Sequence, residues 1–190
     1  MNSMNHILIG SIVYDYLQEK YGIMLQKSGF LKGNTCPDHG ISFLRPHKVK
    51  YCGRLVRRKT EKLFAGSRPI NRRTSKKIGI LCHYYSDFFC FAHSPGFSGS
   101  LKEHVRHENC LLYFMSENYE TFREIDYISE DAKPESAGEI TSKMNLLLME
   151  GSAAEDDYEE ELFRAVRACS ELVLSICLSL MFVRTGKEAK

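Results

Sequence analysis

The chain has 190 residues, of which 43% are hydrophobic and 26% are charged, a length that suits one globular domain around one substantial core. The first residues carry no positive charge ahead of the apolar run and no small-residue cleavage site, so we do not expect a secretory signal peptide. The seven cysteines are odd in number, widely spread and without a CxxC pair. This pattern favours reduced core thiols in a cytoplasmic protein over a disulfide framework, a zinc–cysteine site or a redox centre.

Helical periodicity dominates the chain, and no convincing alternating strand occurs. The first predicted helix spans residues 6–21, carries one broad apolar stripe and ends at Gly22. Residues 29–46 are predicted to form a loop because glycine and proline interrupt them repeatedly. A basic helix is predicted over residues 47–64, followed by a linker over residues 67–74.

The next two helices are separated by a Pro-Gly turn. The first should begin near Ser75 and end before Pro95, because proline disfavours helix at the residue that precedes it. Ser100 and Glu103 form a capping box, in which each side chain satisfies an amide of the first helical turn. The helix that follows is predicted to run to about Met115.

The last part of the chain is also predicted to be helical. Ser136 and Glu139 have the spacing of a second capping box, and three acidic residues, 155–157, precede the last long helix, as the helix dipole favours. The apolar run over residues 172–183 is too short to cross a bilayer, so we expect a buried helix. The sequence therefore predicts a single all-α domain over residues 1–190.

The formal net charge is only +2, but basic residues are concentrated in the first half of the chain. Between Arg45 and Lys77, thirteen lysines and arginines accompany one acid, Glu61, whereas residues 117–161 are strongly acidic. This asymmetry predicts contact with an anionic substrate or surface along residues 45–77. The alternative is that most of these side chains form solvated helix faces, and no obligate protein partner is inferred.

Two pairs of metal-ligating side chains have helical spacing. Residues four apart lie on the same side of an α-helix, so His83 pairs with Asp87, and His104 pairs with Glu108. His93 lies between the two pairs. Each pair alone is typical of a surface ion pair, but both occur among apolar residues, where burying an unpaired charge has a large unfavourable free energy. Pairs on consecutive antiparallel helices can converge across their interface, and these ligand types suit zinc.

Three further candidates lie upstream. Asp38 follows a proline in the predicted loop, a position typical of a turn, and His47 comes nine residues later. His6 is a polar residue on the apolar stripe of the first helix. With these residues, the ligand order resembles the zinc-dependent phospholipase C family, which is related to the fungal and plant single-strand zinc nucleases. The resemblance covers about the first 115 residues and rests on His6, Asp38, His47, His83, Asp87, His93, His104 and Glu108.

The resemblance implies an all-α fold and a site of three zinc ions. His93, His104 and Glu108 would bind one ion; Asp38, His47, His83 and Asp87 would serve the second; and Asp87 would bridge to a third, shared with His6. Processed family members use the free amino-terminal residue as a further ligand of the third zinc. In this chain Met1 or another group completes that site, or the site is weaker or incomplete and two ions bind. His39 is expected to be exposed and His107 to point away from Glu108.

The expected activity is hydrolysis of a phosphodiester by metal-activated water, with Asp38 orienting or deprotonating that water. The substrate could be a phospholipid head group, approached over Phe88, Phe89, Phe91 and Phe97, although most of these aromatic side chains are expected to pack in the core, or a soluble phosphoester. The alternatives are a single-strand nuclease or nucleotidase that uses the basic segment, and a non-catalytic helical binding protein that zinc stabilises.

Overall fold

The structure is a computed structural model that describes residues 1–39, 46–66, 69–129, 135–149 and 157–188. Within these ranges the chain forms helices and no strand, so the predicted all-α class is confirmed. Among the described residues, two 3₁₀ helices, Cys36–Asp38 and Phe91–His93, accompany the α-helices. In chain order the α-helices are α1 (Ser3–Tyr21), α2 (Lys27–Thr35), α3 (Val49–Phe64), α4 (Arg72–Phe89), α5 (Leu101–Glu117), α6 (Tyr119–Glu124), α7 (Ala137–Met149) and α8 (Tyr158–Glu188).

The predicted helix stops and starts agree closely with the structure. α1 begins three residues earlier than predicted, because the Asn2 side chain accepts hydrogen bonds from the first-turn amides, and it ends at Gly22 with φ of 63°. The capping box at α5 is present: Ser100 Oγ accepts from the amide of Glu103, whose carboxylate accepts from the amide of Ser100. The predicted end of α1 and the predicted start of α5 are therefore confirmed.

The predicted starts of the last two long helices also have their caps. At α7 the Glu139 carboxylate accepts from the amide of Ser136 at 2.7 Å, and Ser136 Oγ accepts from the amide of Glu139 at 3.3 Å. At α8 the Asp157 carboxylate accepts from the amide of Glu160 at 3.1 Å, whereas Glu155 and Asp156 lie outside the described residues. Each cap satisfies an amide that the helix itself leaves without a partner.

The loop prediction for residues 29–46 was wrong over its first part. Residues 29–35 belong to α2, and Cys36–Asp38 form a 3₁₀ helix; residues 40–45 lie outside the described part. The glycines in α2 serve helix packing rather than a turn. A Cβ at Gly33 would collide with the backbone of Lys76 and Gly79, and a Cβ at Gly79 would collide with the Phe30 carbonyl. Close approach of α2 to α4 therefore offsets the low helix propensity of glycine.

Two smaller predictions for α4 also need correction. The helix begins at Arg72, inside the predicted linker, because the Asn71 side chain caps it by accepting from the amides of Arg73 and Thr74. Its end is at Phe89 rather than just before Pro95. Cys90 is extended, so the 3₁₀ helix Phe91–His93 turns away from the axis of α4.

The core is built around α4 and α8, which pack against each other and against α1. All residues of α4 from Leu81 to Phe89 are buried, and Leu172 to Cys177 are buried in α8. The apolar run near the end of the chain is thus helical and is buried over residues 172–177, as predicted, whereas Met181 is exposed. Among the described helices, none combines the length and the apolar character that a membrane span requires.

Candidate metal centre

The structure brings the predicted ligand residues to one end of the helix bundle. They come from the start of α1, the 3₁₀ helix after α2, the segment before α3, the last turns of α4, the 3₁₀ helix after it, and the first half of α5. Their side chains form three groups in which the candidate ligand atoms lie within 4.8 Å of one another: His6, His83 and Asp87; Asp38, His47 and His83; and His93, His104 and Glu108.

Asp87 is the centre of this arrangement, and its side chain is completely buried. Oδ2 lies 2.9 Å from His47 Nδ1 and 3.2 Å from His83 Nε2. Oδ1 lies 3.4 Å both from His6 Nε2 and from His93 Nδ1. The two oxygens therefore face different sets of histidines, which is the disposition that a bridging carboxylate needs.

The second group joins Asp38 and His47, which line the cleft that leads into the site, to the completely buried His83. His83 Nε2 lies 2.9 Å from His47 Nδ1 and 3.5 Å from Asp38 Oδ1, and the two imidazole rings meet edge to face. His47 Nδ1 and Asp38 Oδ1 are farther apart, at 3.9 Å. Ser3 Oγ donates to the other Asp38 oxygen at 2.9 Å, so the start of α1 orients this carboxylate.

The third group joins the 3₁₀ helix Phe91–His93 to α5. Glu108 Oε1 lies 2.9 Å from His104 Nε2 and 3.3 Å from His93 Nε2. The two imidazole rings stack with their centroids 4.9 Å apart. The predicted pairs on α4 and α5 are thus linked through His93 and Asp87.

Hydrogen bonds outside the three groups set the tautomer of two histidines. Ser86 Oγ donates to the carbonyl of His83 at 2.9 Å, which leaves the Ser86 oxygen to accept from Nδ1–H of His6 at 3.0 Å. Nδ1–H of His83 donates to the carbonyl of Asn34 at 2.7 Å. Both rings therefore turn the Nε2 lone pair towards Asp87, and such second contacts are usual for metal-binding histidines.

Two buried ring nitrogens have no hydrogen-bond partner, namely His6 Nε2 and His93 Nδ1. Burial lowers the pKa of His6 to about 4, so its ring is neutral near pH 7 and an Nε2 lone pair faces a carboxylate oxygen. Burial, together with the Met1 ammonium, also lowers the pKa of His93. A lone pair of His6 that faces the Asp87 carboxylate across 3.4 Å is unfavourable unless a cation lies between the two atoms, so these two residues fit a metal ion.

The carboxylates are held in their charged form. Burial alone would raise the pKa of Asp87, but the Met1 ammonium and the surrounding histidines hold it well below its usual range. Burial also opposes ionisation of Glu108, and hydrogen bonds from His104 and His93 outweigh it and lower its pKa. Both side chains are therefore available as anionic ligands at neutral pH.

The α-amino group of Met1 lies inside the site. Its nitrogen is 2.6 Å from Asp87 Oδ1, 3.0 Å from Glu108 Oε1 and 3.2 Å from His93 Nε2. Although burial disfavours its charge, Asp87 in particular raises the pKa of this amine well above the ordinary value. The Met1 nitrogen thus lies among the candidate ligand atoms of the site.

A cleft of about 530 Å³ gives access to the centre. Asp38, His47 and Glu108 line it, whereas His6, His83 and Asp87 are completely buried beneath it. His39 is exposed at the rim of the cleft, as expected. The sequence did not reveal the orienting roles of Ser3, Asn34 and Ser86, because short polar residues carry no spacing signal of their own.

Fold and site together define an all-α protein whose cleft gathers histidines and carboxylates into groups that could hold metal ions. A model of the zinc dependent phospholipase C family matches residues 5–158, and the chain belongs to this family. The matched range contains all eight predicted ligand residues, and zinc is the metal of the family. No curated protein and no solved structure matches the chain.

Extending the chain ahead of Met1 is expected to remove one metal ion. A short Gly-Ser extension converts the amine, which lies 2.6 Å from Asp87, into an amide that neither carries charge nor ligates through nitrogen. We expect zinc content to fall by one ion per chain, as measured by elemental analysis after gel filtration. The same extension placed after Lys190 is the control, and equal zinc content in the two proteins would contradict a role for the Met1 amine.

Proposed function

We propose that the chain is a zinc-dependent phosphoesterase that hydrolyses a phosphodiester with water, and that its substrate is phospholipid-like. The proposal assigns three zinc ions, one to each group of side chains. His93, His104 and Glu108 would hold one; Asp38, His47 and His83 would hold the second; and His6 with the Met1 amine would hold the third, with Asp87 as a ligand shared by the last two.

The observation that carries this proposal is the orientation of the two histidines beneath Asp87. The hydrogen bonds to Ser86 and Asn34 turn the Nε2 atoms of His6 and His83 towards the carboxylate, and His6 Nε2 has no partner there. A buried ion pair kept only for stability would direct N–H groups at the carboxylate. Lone pairs directed at an anion are the arrangement that a bound cation favours.

The chemistry follows from the positions of the protein groups. Zinc in such a site acidifies a water molecule and neutralises phosphate oxygens. Asp38 lines the cleft, and a hydrogen bond from Ser3 holds its carboxylate in place, so this side chain would orient the attacking water and accept its proton. The buried residues His6, His83 and Asp87 exclude bulk water from the floor of the site.

Exposed apolar side chains beside the cleft favour a phospholipid-like substrate. Leu101 is 79% exposed and Val105 46% exposed; both line the cleft, and their i, i+4 spacing puts them on one side of α5. Phe88 and Phe89 do not contribute to an aromatic approach surface: they are 4% and 6% exposed and belong to the core, as expected for most of these aromatic residues.

Most of the described basic residues in the segment of residues 45–77 do not line the cleft. Lys48 lines the cleft, whereas Arg58, Lys62 and Lys77 line a separate groove between α3 and α4. A nucleic acid held by that groove would not be directed to the metal centre by the same cations. This separation favours a lipid-like diester over the nuclease alternative, and contact of the groove with an anionic surface remains a proposal.

Three substrates test the proposal on zinc-loaded protein: phosphatidylcholine vesicles, a soluble chromogenic phosphodiester and single-stranded DNA. We expect turnover of the first two and its loss in His83→Ala. In Leu101→Asp, vesicle hydrolysis should fall by about tenfold or more, since burial of a leucine contributes about 1.5–3 kcal/mol. The soluble diester should be hydrolysed at an unchanged rate.

The matched control is Leu146→Asp, because Leu146 is 60% exposed and does not line the cleft. It should leave the hydrolysis of all substrates unchanged. Cleavage of DNA without vesicle hydrolysis would replace the lipid assignment with the nuclease alternative. Absence of turnover of all three by fully zinc-loaded protein would contradict the enzymatic proposal and leave a helical binding protein that zinc stabilises.

A further inference from the structure

A fourth group of ligating side chains lies outside the cleft and has no part in the proposed reaction. Cys90 follows the end of α4, His107 lies on α5, and Glu161 lies in the first turn of α8. Their candidate ligand atoms lie within 4.8 Å of one another. The side chains of Cys90 and Glu161 are completely buried, and His107 is 7% exposed. The group therefore joins three helices inside the protein.

The hydrogen bonding within this group is incomplete. His107 Nε2 lies 2.9 Å from Glu161 Oε2, which is a good contact. The other carboxylate oxygen, Oε1, is buried and has no hydrogen-bond partner. A buried carboxylate oxygen without a hydrogen-bond partner raises the free energy of the folded protein, so a simple His–Glu pair does not account for the site.

The three side chains of this group offer ligand atoms of the types that zinc and similar divalent ions bind. A thiolate sulfur, an imidazole nitrogen and a carboxylate are all zinc ligands, and a carboxylate that uses both oxygens brings the total to four donors. Binding through both oxygens would also satisfy Glu161 Oε1. Because no donor of this group lines the cleft, a closed structural site is expected rather than one with a position left for substrate.

We propose that Cys90, His107 and Glu161 bind a further divalent cation of the zinc class, separate from the ions of the cleft, which ties the end of α4 to α5 and the start of α8. Binding converts the Cys90 thiol to a thiolate and releases its proton to solvent. Burial raises the pKa of this thiol, so it is neutral in the absence of the cation. The sequence spacing gave no sign of the site, because its ligands are separated by 17 and 54 residues.

Cobalt(II) is the probe for this site, because a thiolate bound to it absorbs in the near ultraviolet whereas nitrogen and oxygen ligands do not. Among the described residues, Cys90 is the one cysteine that belongs to a group of candidate ligands. The full chain loaded with cobalt should show the thiolate band. Cys90→Ala should lose the band and one metal ion per chain.

Cys177→Ala is the matched control, since Cys177 is also a completely buried cysteine but lies within α8, away from the candidate ligand groups. It should keep both the band and the metal. Asp87→Asn should keep the band while losing ions of the cleft, so failure of the catalytic proposal would not be mistaken for failure of this one. Glu161→Gln, which nearly preserves volume, is the second variant if Cys90→Ala does not fold, and should also lose one ion.

The spectrum of the cobalt-loaded wild-type protein tests the proposed cation site even without a variant. Absence of a thiolate band in cobalt-loaded wild-type protein would overturn the proposal. A band that persists in Cys90→Ala, or an unchanged metal content in that variant, would overturn it as well.

Discussion

Replacing Asp87 with asparagine is expected to reduce zinc binding by at least one ion and to lower kcat/KM by about 10³-fold or more, since a metal in such a site contributes several kcal/mol to the transition state. The carboxylate oxygens lie 2.9 Å from His47 and 3.4 Å from both His6 and His93. An amide keeps the size of the side chain but supplies one weak oxygen ligand in place of two anionic ones. The proposed bridge between two ions is therefore lost.

Elemental analysis and hydrolysis of the soluble chromogenic diester measure the two parts of this result. The control is Asp15→Asn, which removes a carboxylate that pairs with Lys27 at 2.8 Å on the surface of α1. It should keep the zinc content and the activity of the wild type. If Asp87→Asn retained full zinc content with unchanged kcat/KM, the proposed role of Asp87 as a metal ligand shared by two ions would be contradicted.

Helix-level features of this protein could be predicted because their causes are local in the sequence. The capping box at Ser100 and the two i, i+4 ligand pairs need only a helix with its normal period, and the structure contains all three. The ligand order then led to the correct family, which the match over residues 5–158 shows.

The features that could not be predicted depend on contacts between distant segments. The sequence predicts a loop where α2 lies, because glycine has low helix propensity by itself. Gly33 belongs to a helix because its backbone packs closely against Gly79, which is distant in the sequence. The orienting contact of His83 with Asn34 spans 49 residues and uses a backbone carbonyl, which has no sequence signature. Likewise, His107 was expected only to point away from Glu108, whereas its partner, Glu161, comes from α8.

Removing the metal is expected to lower the melting temperature by about 10 °C or more. A site filled at a thousand times its dissociation constant stabilises the folded state by about 4 kcal/mol, and for a chain of this length 1 kcal/mol corresponds to about 2–4 °C. The unfolded chain cannot gather ligands that are as far apart as His6 and Glu108, so most of this stabilisation belongs to the folded state. Differential scanning calorimetry with and without a chelator measures the difference. Equal melting temperatures would contradict a metal bound by these residues.

The metal-free protein should in addition lose stability as the pH falls. Burial lowers the pKa of His6 in the folded state to about 4, against an ordinary value of about 6.5 for the unfolded chain. Between these values the unfolded state binds more protons, so stability is greatest above about pH 6.5 and falls towards pH 4, by about 3 kcal/mol for this histidine. The lowered pKa values of Asp87 and Glu108 act in the same direction at more acidic pH. The raised pKa of the Met1 amine acts oppositely, because its contribution is lost as the pH rises through the folded-state value.

Melting temperatures of chelator-treated protein between pH 8 and pH 4 test this effect. His6→Gln removes the buried imidazole and should flatten the decline between about pH 6.5 and pH 4. His39→Gln is the matched control, because His39 is exposed and should leave the slope unchanged. A decline of equal steepness in His6→Gln and in the wild type would show that His6 is not held neutral by burial, and the argument from its unpartnered Nε2 to a bound cation would fail with it.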